Sequence, residues 1–207
     1  MVERHFADLP DTHGARVRSV VQHEARGLGD AVLTSREAVG ERPFFVLTAD
    51  DLIRPGESIL DHLATSSGHR RSVVCVRELP SELLVSKGVI APRSHPGGNV
   101  VGVGGAVEKP TPAEAPSRLC IQGRYLFMPE VFERLEGIGP GYGGEIQLTD
   151  AVDALARRGR CNAYVTDVEI LDVGNPWGFL HANLVLAAAS PEYGESLKAI
   201  VKDLLEE

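Results

Sequence analysis

The sequence predicts an α/β fold, a layered domain with a mixed, mostly parallel sheet flanked by helices. Three observations predict it. Short runs rich in branched and aromatic residues alternate with helix-period segments along most of the chain. The run Phe44-Phe45-Val46-Leu47 is continuously apolar, as expected of a strand buried on both faces. At 207 residues and 43% hydrophobic content, the chain can bury one substantial core. It carries no internal repeat, low-complexity tract or interdomain linker, so residues 1–207 read as a single domain.

The elements follow in order. Residues 17–22 read as a short strand, and residues 29–39 as a helix with apolar positions at Ala31, Val32 and Ala38. The strand at 44–47 ends in Thr48-Ala49-Asp50-Asp51; residues 57–64 are helical by period and 71–76 strand-like. Residues 83–109 read as β-structure broken by a loop, His95-Pro96-Gly97-Gly98-Asn99. A strand follows at 119–127, and Pro129 opens a helix over 129–135 at a favoured first-turn position. Residues 145–157 form a longer predicted helix, 163–171 a strand, and helices over 176–188 and 190–205 finish the chain.

Charge and cysteine usage bound the partners. A net charge of −8 and a pI near 5.4 argue against a nucleic-acid or anionic-membrane binder, which needs a basic face. A small polyanion held by a few local cations stays open. Cys75, Cys120 and Cys161 are odd in number and widely spaced without CxxC, which fits buried thiols in a reducing, cytoplasmic setting better than a disulfide framework. The amino terminus lacks the apolar core of a signal peptide, and no segment is long enough to span a bilayer.

The most informative chemistry is Gly105-Ala106-Val107-Glu108-Lys109-Pro110, an acid beside a lysine where a β-rich run meets a proline. Adjacent residues of an extended chain point to opposite faces, so both can address one ligand only if the backbone turns there, as Pro110 suggests. Such a pair suits a sugar phosphate: Glu108 accepts from hydroxyls and Lys109 neutralises phosphate oxygens. Taken alone, the tetrapeptide is better read as a solvated pair entering a turn. Two aspartates follow strand-like runs, Asp50 after Phe44-Phe45-Val46-Leu47 and Asp172 after Val168-Glu169-Ile170-Leu171. Ligands collect at the carboxyl ends of strands in open α/β sheets, and two carboxylates at one rim would suit Mg²⁺. Each alone is more readily a helix cap or turn residue, and Asp51 looks more like the latter. Gly27-Leu28-Gly29 forms a turn in which backbone can approach a flat ligand.

Taken in order, the segments resemble the bacterial UTP–glucose-1-phosphate uridylyltransferases. The resemblance rests on Gln22-His23-Glu24-Ala25-Arg26-Gly27-Leu28-Gly29, Phe45-Val46-Leu47-Thr48-Ala49-Asp50-Asp51, Val107-Glu108-Lys109-Pro110, Gly123-Arg124-Tyr125, Gly143-Gly144-Glu145-Ile146-Gln147-Leu148-Thr149-Asp150-Ala151 and Asp172-Val173-Gly174-Asn175-Pro176. It covers the chain from about residue 17 onward. It implies a Rossmann-like sheet of the nucleotide-diphospho-sugar transferase type. It implies Gln22 and Gly27 at the uracil base, Asp50 and Asp172 on Mg²⁺, Gly88, Glu108, Gly123 and Glu145 around the glucose, and Lys109 on the phosphate, with UTP and glucose 1-phosphate as substrates. Lys109 and Asp50 would be the residues at the reacting groups.

Three departures stand out. The family's opening strand and glycine-rich loop have no counterpart, so the chain is expected to be truncated at its amino terminus, with Met1 to Arg16 unmatched. The family's Tyr before the sugar-binding glycine is Lys87, and its Gly-Leu-Gly-His is Gly-Leu-Gly-Asp, placing Asp30 near the path of the phosphates. A noncatalytic sugar-phosphate or nucleotide-binding subunit of a full-length relative is the alternative; a thymidylyl- or guanylyltransferase is disfavoured by the Gly-Leu-Gly and Glu-Ile-Gln-Leu-Thr-Asp runs. An interior strand left as an edge would promote self-association, or pairing with a chain that supplies the missing strands.

Overall fold

In the computed structural model, which describes residues 16–68 and 70–206, helices α1 (Leu28–Thr34) and α2 (Arg36–Val39) precede strand β1 (Phe44–Leu47). Next come β2 (Asp51–Ile53), α3 (Leu60–Ser66) and β3 (Ser72–Glu78). A 3₁₀ turn over Ser81–Ser86 leads to the hairpin β4 (Gly88–Gly97) and β5 (Val100–Glu108), then β6 (Leu119–Phe127) and α4 (Glu130–Glu136). Helix α5 (Leu148–Ala156), strands β7 (Cys161–Val165) and β8 (Ile170–Asp172), and helices α6 (Pro176–Ala189) and α7 (Gly194–Glu206) complete the order.

Six strands form one sheet in the order β1-β6-β3-β7-β5-β4, and β2 pairs with β8 in a separate ribbon. Period-two alternation along β3 sends side chains to both faces. Val74 and Val76 join Phe132 and Leu135 of α4 and Val152 and Leu155 of α5 in the larger core. Val73 and Cys75 meet Ile59 and Leu63 beside α3 on the other face. Helices thus cover both faces, as the predicted layered fold requires. The sheet is mixed. β1, β3, β7 and β4 share one direction and β5 and β6 the other, but only β3 and β7 are parallel neighbours. The reason is local: the β4–β5 hairpin closes through a two-residue turn, Gly98-Asn99, and β6 inserts between β1 and β3 against both.

Several element boundaries differ from expectation. Residues 17–22 form no strand; Val17, Val20 and Val21 lie in exposed irregular chain. Residues 1–15, most of the unmatched amino-terminal segment, lie outside the described residues. β1 is not buried on both faces. Among the described residues it pairs with β6 alone; Phe44 stacks on Phe132 at 5.0 Å between ring centres while Phe45 and Leu47 face outward. The strand expected over 163–171 is two strands: β7 ends where Thr166 donates its backbone N–H to Val76, and β8 begins four residues later in the other ribbon. The helix expected from residue 145 starts at Leu148, because Glu145 and Gln147 are extended and the backbone of Ile146 is committed to Arg26 and Gly29.

Candidate functional site

That last commitment builds one wall of the site. The Ile146 N–H donates to the Arg26 carbonyl at 2.7 Å, and the Gly29 N–H donates to the Ile146 carbonyl at 2.8 Å, tying the Gly27 turn to the Glu145 strand segment. Gly27 adopts φ +105°, and a Cβ there would lie 2.8 Å from both the Glu145 Cβ and the Ile146 carbonyl oxygen, so the approach needs glycine. The opposite wall is the open end of the β4–β5 hairpin, where Gly88 pairs with Glu108 and the Lys109 N–H donates to the Lys87 carbonyl at 3.1 Å.

Between them lies a cavity of about 300 Å³. Asp50, Gly88, Glu108, Lys109, Gly123 and Glu145 all line it, gathered from the end of β1, the hairpin, β6 and the loop before α5. The turn anticipated at Glu108-Lys109 is present: Lys109 has φ +46°, the one described non-glycine residue with positive φ. That turn brings both side chains into the cavity, with Lys109 Nζ 3.8 Å from a Glu108 oxygen and 5.3 Å from the centre of the Tyr142 ring. The other Glu108 oxygen accepts from the Thr149 hydroxyl at 2.6 Å, which fixes the carboxylate's orientation. Gly123 has φ +58°, and a Cβ there would overlap Asp51 and Thr48, whose hydroxyl donates to the Asp51 carboxylate. A larger cavity of about 450 Å³ lies near the hairpin turn, but its charged lining residues, Glu78 and Arg118, pair with each other.

Asp172 borders a neighbouring cleft rather than this cavity, and Lys87 and Asp51 line both. Asp172 nevertheless meets Asp50: Asp51 and Asp172 are register partners between β2 and β8, and the Val173 N–H donates to the Asp50 carbonyl at 2.7 Å. Both carboxylates converge on Gly174, where a Cβ would lie 2.7 Å from an Asp50 oxygen and 3.2 Å from one of Asp172. Lys87 enters the same group. Its Nζ donates to Asp172 at 2.7 Å and lies 3.9 Å from Asp51. Burial opposes its charge, but the Asp172 hydrogen bond and the fields of Asp51, Asp172 and Asp50 hold the ammonium above the ordinary lysine range. Burial likewise opposes ionisation of Asp172, and is outweighed by Lys87 and the Gly174 N–H, which hold the carboxyl below the usual carboxylate range. As the side chains stand, Asp50 and Asp172 do not fit a divalent ion cleanly, because an ammonium already bonds one of them. Among the described residues, no three His, Cys, Asp or Glu side chains form a metal-binding group.

Gln22 and Gly27 stay outside the cavity's lining. The Gln22 amide donates to the Gly27 carbonyl at 3.1 Å and to Asp30 at 2.7 Å, so the two cluster with Asp30 at the start of α1. Sequence reasoning missed Thr149 and Tyr142 as site residues and underrated Asp51 and Lys87. Asp51 is 9% exposed, and the Arg124 guanidinium donates to its carbonyl. The doubled aspartate and the Lys87 departure were the available signals.

Residues 1–189 match the nucleotidyl transferase family. UTP–glucose-1-phosphate uridylyltransferase 2 of Streptococcus pyogenes is 36% identical over 204 residues, 95% of this chain and 67% of that protein. A second Streptococcus pyogenes uridylyltransferase is 37% identical over 92% of the chain and 64% of its own length. A UDP-glucose pyrophosphorylase complexed with UDP-glucose superposes with a TM-score of 0.72 at 32% identity, covering 88% of this chain and 65% of the other. The UDP-glucose pyrophosphorylase from Acinetobacter baumannii gives 0.80 at 29%, covering 97% and 70%. The chain spans about two thirds of the length of the relatives it matches. Sequence and fold agree over nearly the whole of that span, and the chain belongs to the nucleotidyl transferase family.

Proposed function

We propose that the cavity holds glucose 1-phosphate and that the chain serves its uridylylation by UTP. One observation carries the reading: Glu108 and Lys109, adjacent in sequence, are turned by a left-handed backbone into one cavity with Glu145 and Gly88. Lys109 takes the phosphate, Glu108 and Glu145 accept from sugar hydroxyls, and Gly88 and Gly123 let the ring lie against backbone. A phosphate oxygen of the sugar attacks the α-phosphorus of UTP in line, the bond to the β-phosphate oxygen breaks, and pyrophosphate leaves. Positioning and charge neutralisation supply the catalysis, with no covalent protein intermediate. By resemblance Asp50 and Asp172 would hold Mg²⁺, but the Lys87 ammonium already bonds Asp172.

A noncatalytic sugar-phosphate-binding subunit is the second reading, favoured by the Gln22 amide being turned onto Asp30. Release of pyrophosphate from UTP only when glucose 1-phosphate is present, with UDP-glucose as product, tests the first. Tight glucose 1-phosphate binding without turnover returns the second. The proposal includes a reducing, cytoplasmic setting, supported by three buried cysteines outside any disulfide among the described residues. It also includes self-association through the open side of β1, supported by outward-facing Phe45 and Leu47. Among the described residues no helix is long and apolar enough to cross a membrane.

A further inference from the structure

We propose that Lys87 is a built-in cation that holds the Asp51 and Asp172 carboxylates, beside Asp50, in place of a divalent metal ion, so that this chain binds such an ion weakly until Lys87 is removed. The inference deepens the proposed function and rests on it for the identity of the ligand, but its own evidence is geometric. Lys87 Nζ donates to Asp172 at 2.7 Å and stands 3.9 Å from Asp51. Asp50 and Asp172 meet at Gly174. A cation placed between them would share the Asp172 carboxylate with an ammonium and feel its repulsion at close range.

Lys87 is not a loose surface side chain that could swing clear. Its side chain is 24% exposed. Its carbonyl accepts the Lys109 N–H, so the hairpin that delivers Lys109 to the cavity also fixes Lys87. Because Lys87 lines both the cavity and the adjoining cleft, its charge lies between the sugar-phosphate site and the paired aspartates. Lys87 therefore serves as a positioning residue that offsets part of the negative charge of the acidic rim and keeps an ammonium there to face phosphate oxygens of a bound nucleotide.

The test is a titration of the chain with Mn²⁺ in the absence of substrates, free Mn²⁺ being counted by electron paramagnetic resonance. The wild type should show no saturable binding tighter than about 1 mM, and Lys87→Met and Lys87→Tyr should each bind at least about tenfold tighter. Lys87→Arg, which keeps the charge, should behave as wild type. Mn²⁺ should also raise the melting temperature of Lys87→Met and leave that of the wild type unchanged. Equal affinities across the series, or tight binding by the wild type, would overturn the proposal. Should both neutral variants fail to fold, Lys87→Gln, which keeps a long polar side chain without the charge, makes the same comparison. Calorimetry of glucose 1-phosphate on the wild type in chelator keeps the two readings apart: absence of sugar-phosphate binding there defeats the proposed function, whereas the Mn²⁺ series judges Lys87.

Discussion

At the scale of single residues, the decisive feature is the left-handed turn at Lys109. A lysine at φ +46° costs on the order of 1 kcal/mol that a glycine would not. The surroundings hold it there through the Lys87 carbonyl and the following Pro110. Lys109→Gly should therefore leave the stability equal to that of the wild type or higher by up to about 1 kcal/mol, while removing the ammonium proposed to bind phosphate. A urea melt showing a loss greater than that would mean the side chain's contacts with Glu108 and Tyr142 outweigh the strain. Gly123 is the opposite case. Its positive φ and the overlap of any Cβ with Asp51 and Thr48 predict that Gly123→Ala costs about 2–4 kcal/mol, read as a lowered denaturation midpoint. A midpoint within error of wild type would contradict that packing. The Glu108-Lys109-Pro110 turn was legible because a proline closing a β-rich run forces the backbone to turn, although those residues alone read better as a solvated pair. Thr149 was not, because no spacing rule tells that its hydroxyl meets a carboxylate 41 residues earlier in the chain.

At the scale of elements, local pattern was sufficient where an element packs as a unit and failed where tertiary pairing cuts across it. The strand over 119–127 is observed with its predicted ends because both its faces are buried. The apolar stretch over 163–171 gave no sign that β7 and β8 would join different ribbons, since a turn at residues 166–169 carries no glycine or proline. The valines of 17–22 have β-character but no strand to pair with among the described residues, so propensity alone made no element. The inner strands carry a further consequence. Burial pushes the Cys75 thiol on β3 and the Cys161 thiol on β7 up to about 12, and that of Cys120 on β6 to about 11. Iodoacetamide should label none of the three at pH 8 in the native protein and all three in denaturant. A raised thiol stabilises the fold below its unfolded value of 9.0, and that contribution drains away as pH rises towards the folded value. Cys161 should contribute a fall of about 1.4 kcal/mol per pH unit above pH 9, added to those of Cys75 and Cys120, so Cys161→Ala should make the slope shallower by that share without abolishing it. Rapid native labelling, or a slope unchanged in that variant, would contradict the burial.

At the scale of the whole molecule, the α/β layers were legible from alternation, but the direction of neighbouring strands was not. Alternating strands and helices suggest parallel crossovers, whereas β6 inserts antiparallel between β1 and β3. That insertion leaves β1 at the end of the sheet with Phe45 and Leu47 outward, a strand edge able to pair with another chain. Sedimentation should show concentration-dependent self-association that Phe45→Lys with Leu47→Lys suppresses; a monomer at all concentrations would contradict it. The fold's larger service is to bring residues as far apart in sequence as Leu28 and Thr149 around one cavity. The central claim is that this cavity recognises a sugar phosphate through Lys109, and calorimetric titration with glucose 1-phosphate and with free glucose tests it most directly. Loss of one charge-assisted contact, about 1.5–3 kcal/mol, should weaken glucose 1-phosphate binding by roughly 10- to 150-fold in Lys109→Ala and leave glucose affinity nearly unchanged. Equal losses for both ligands, or wild-type protein that binds neither, would contradict the account.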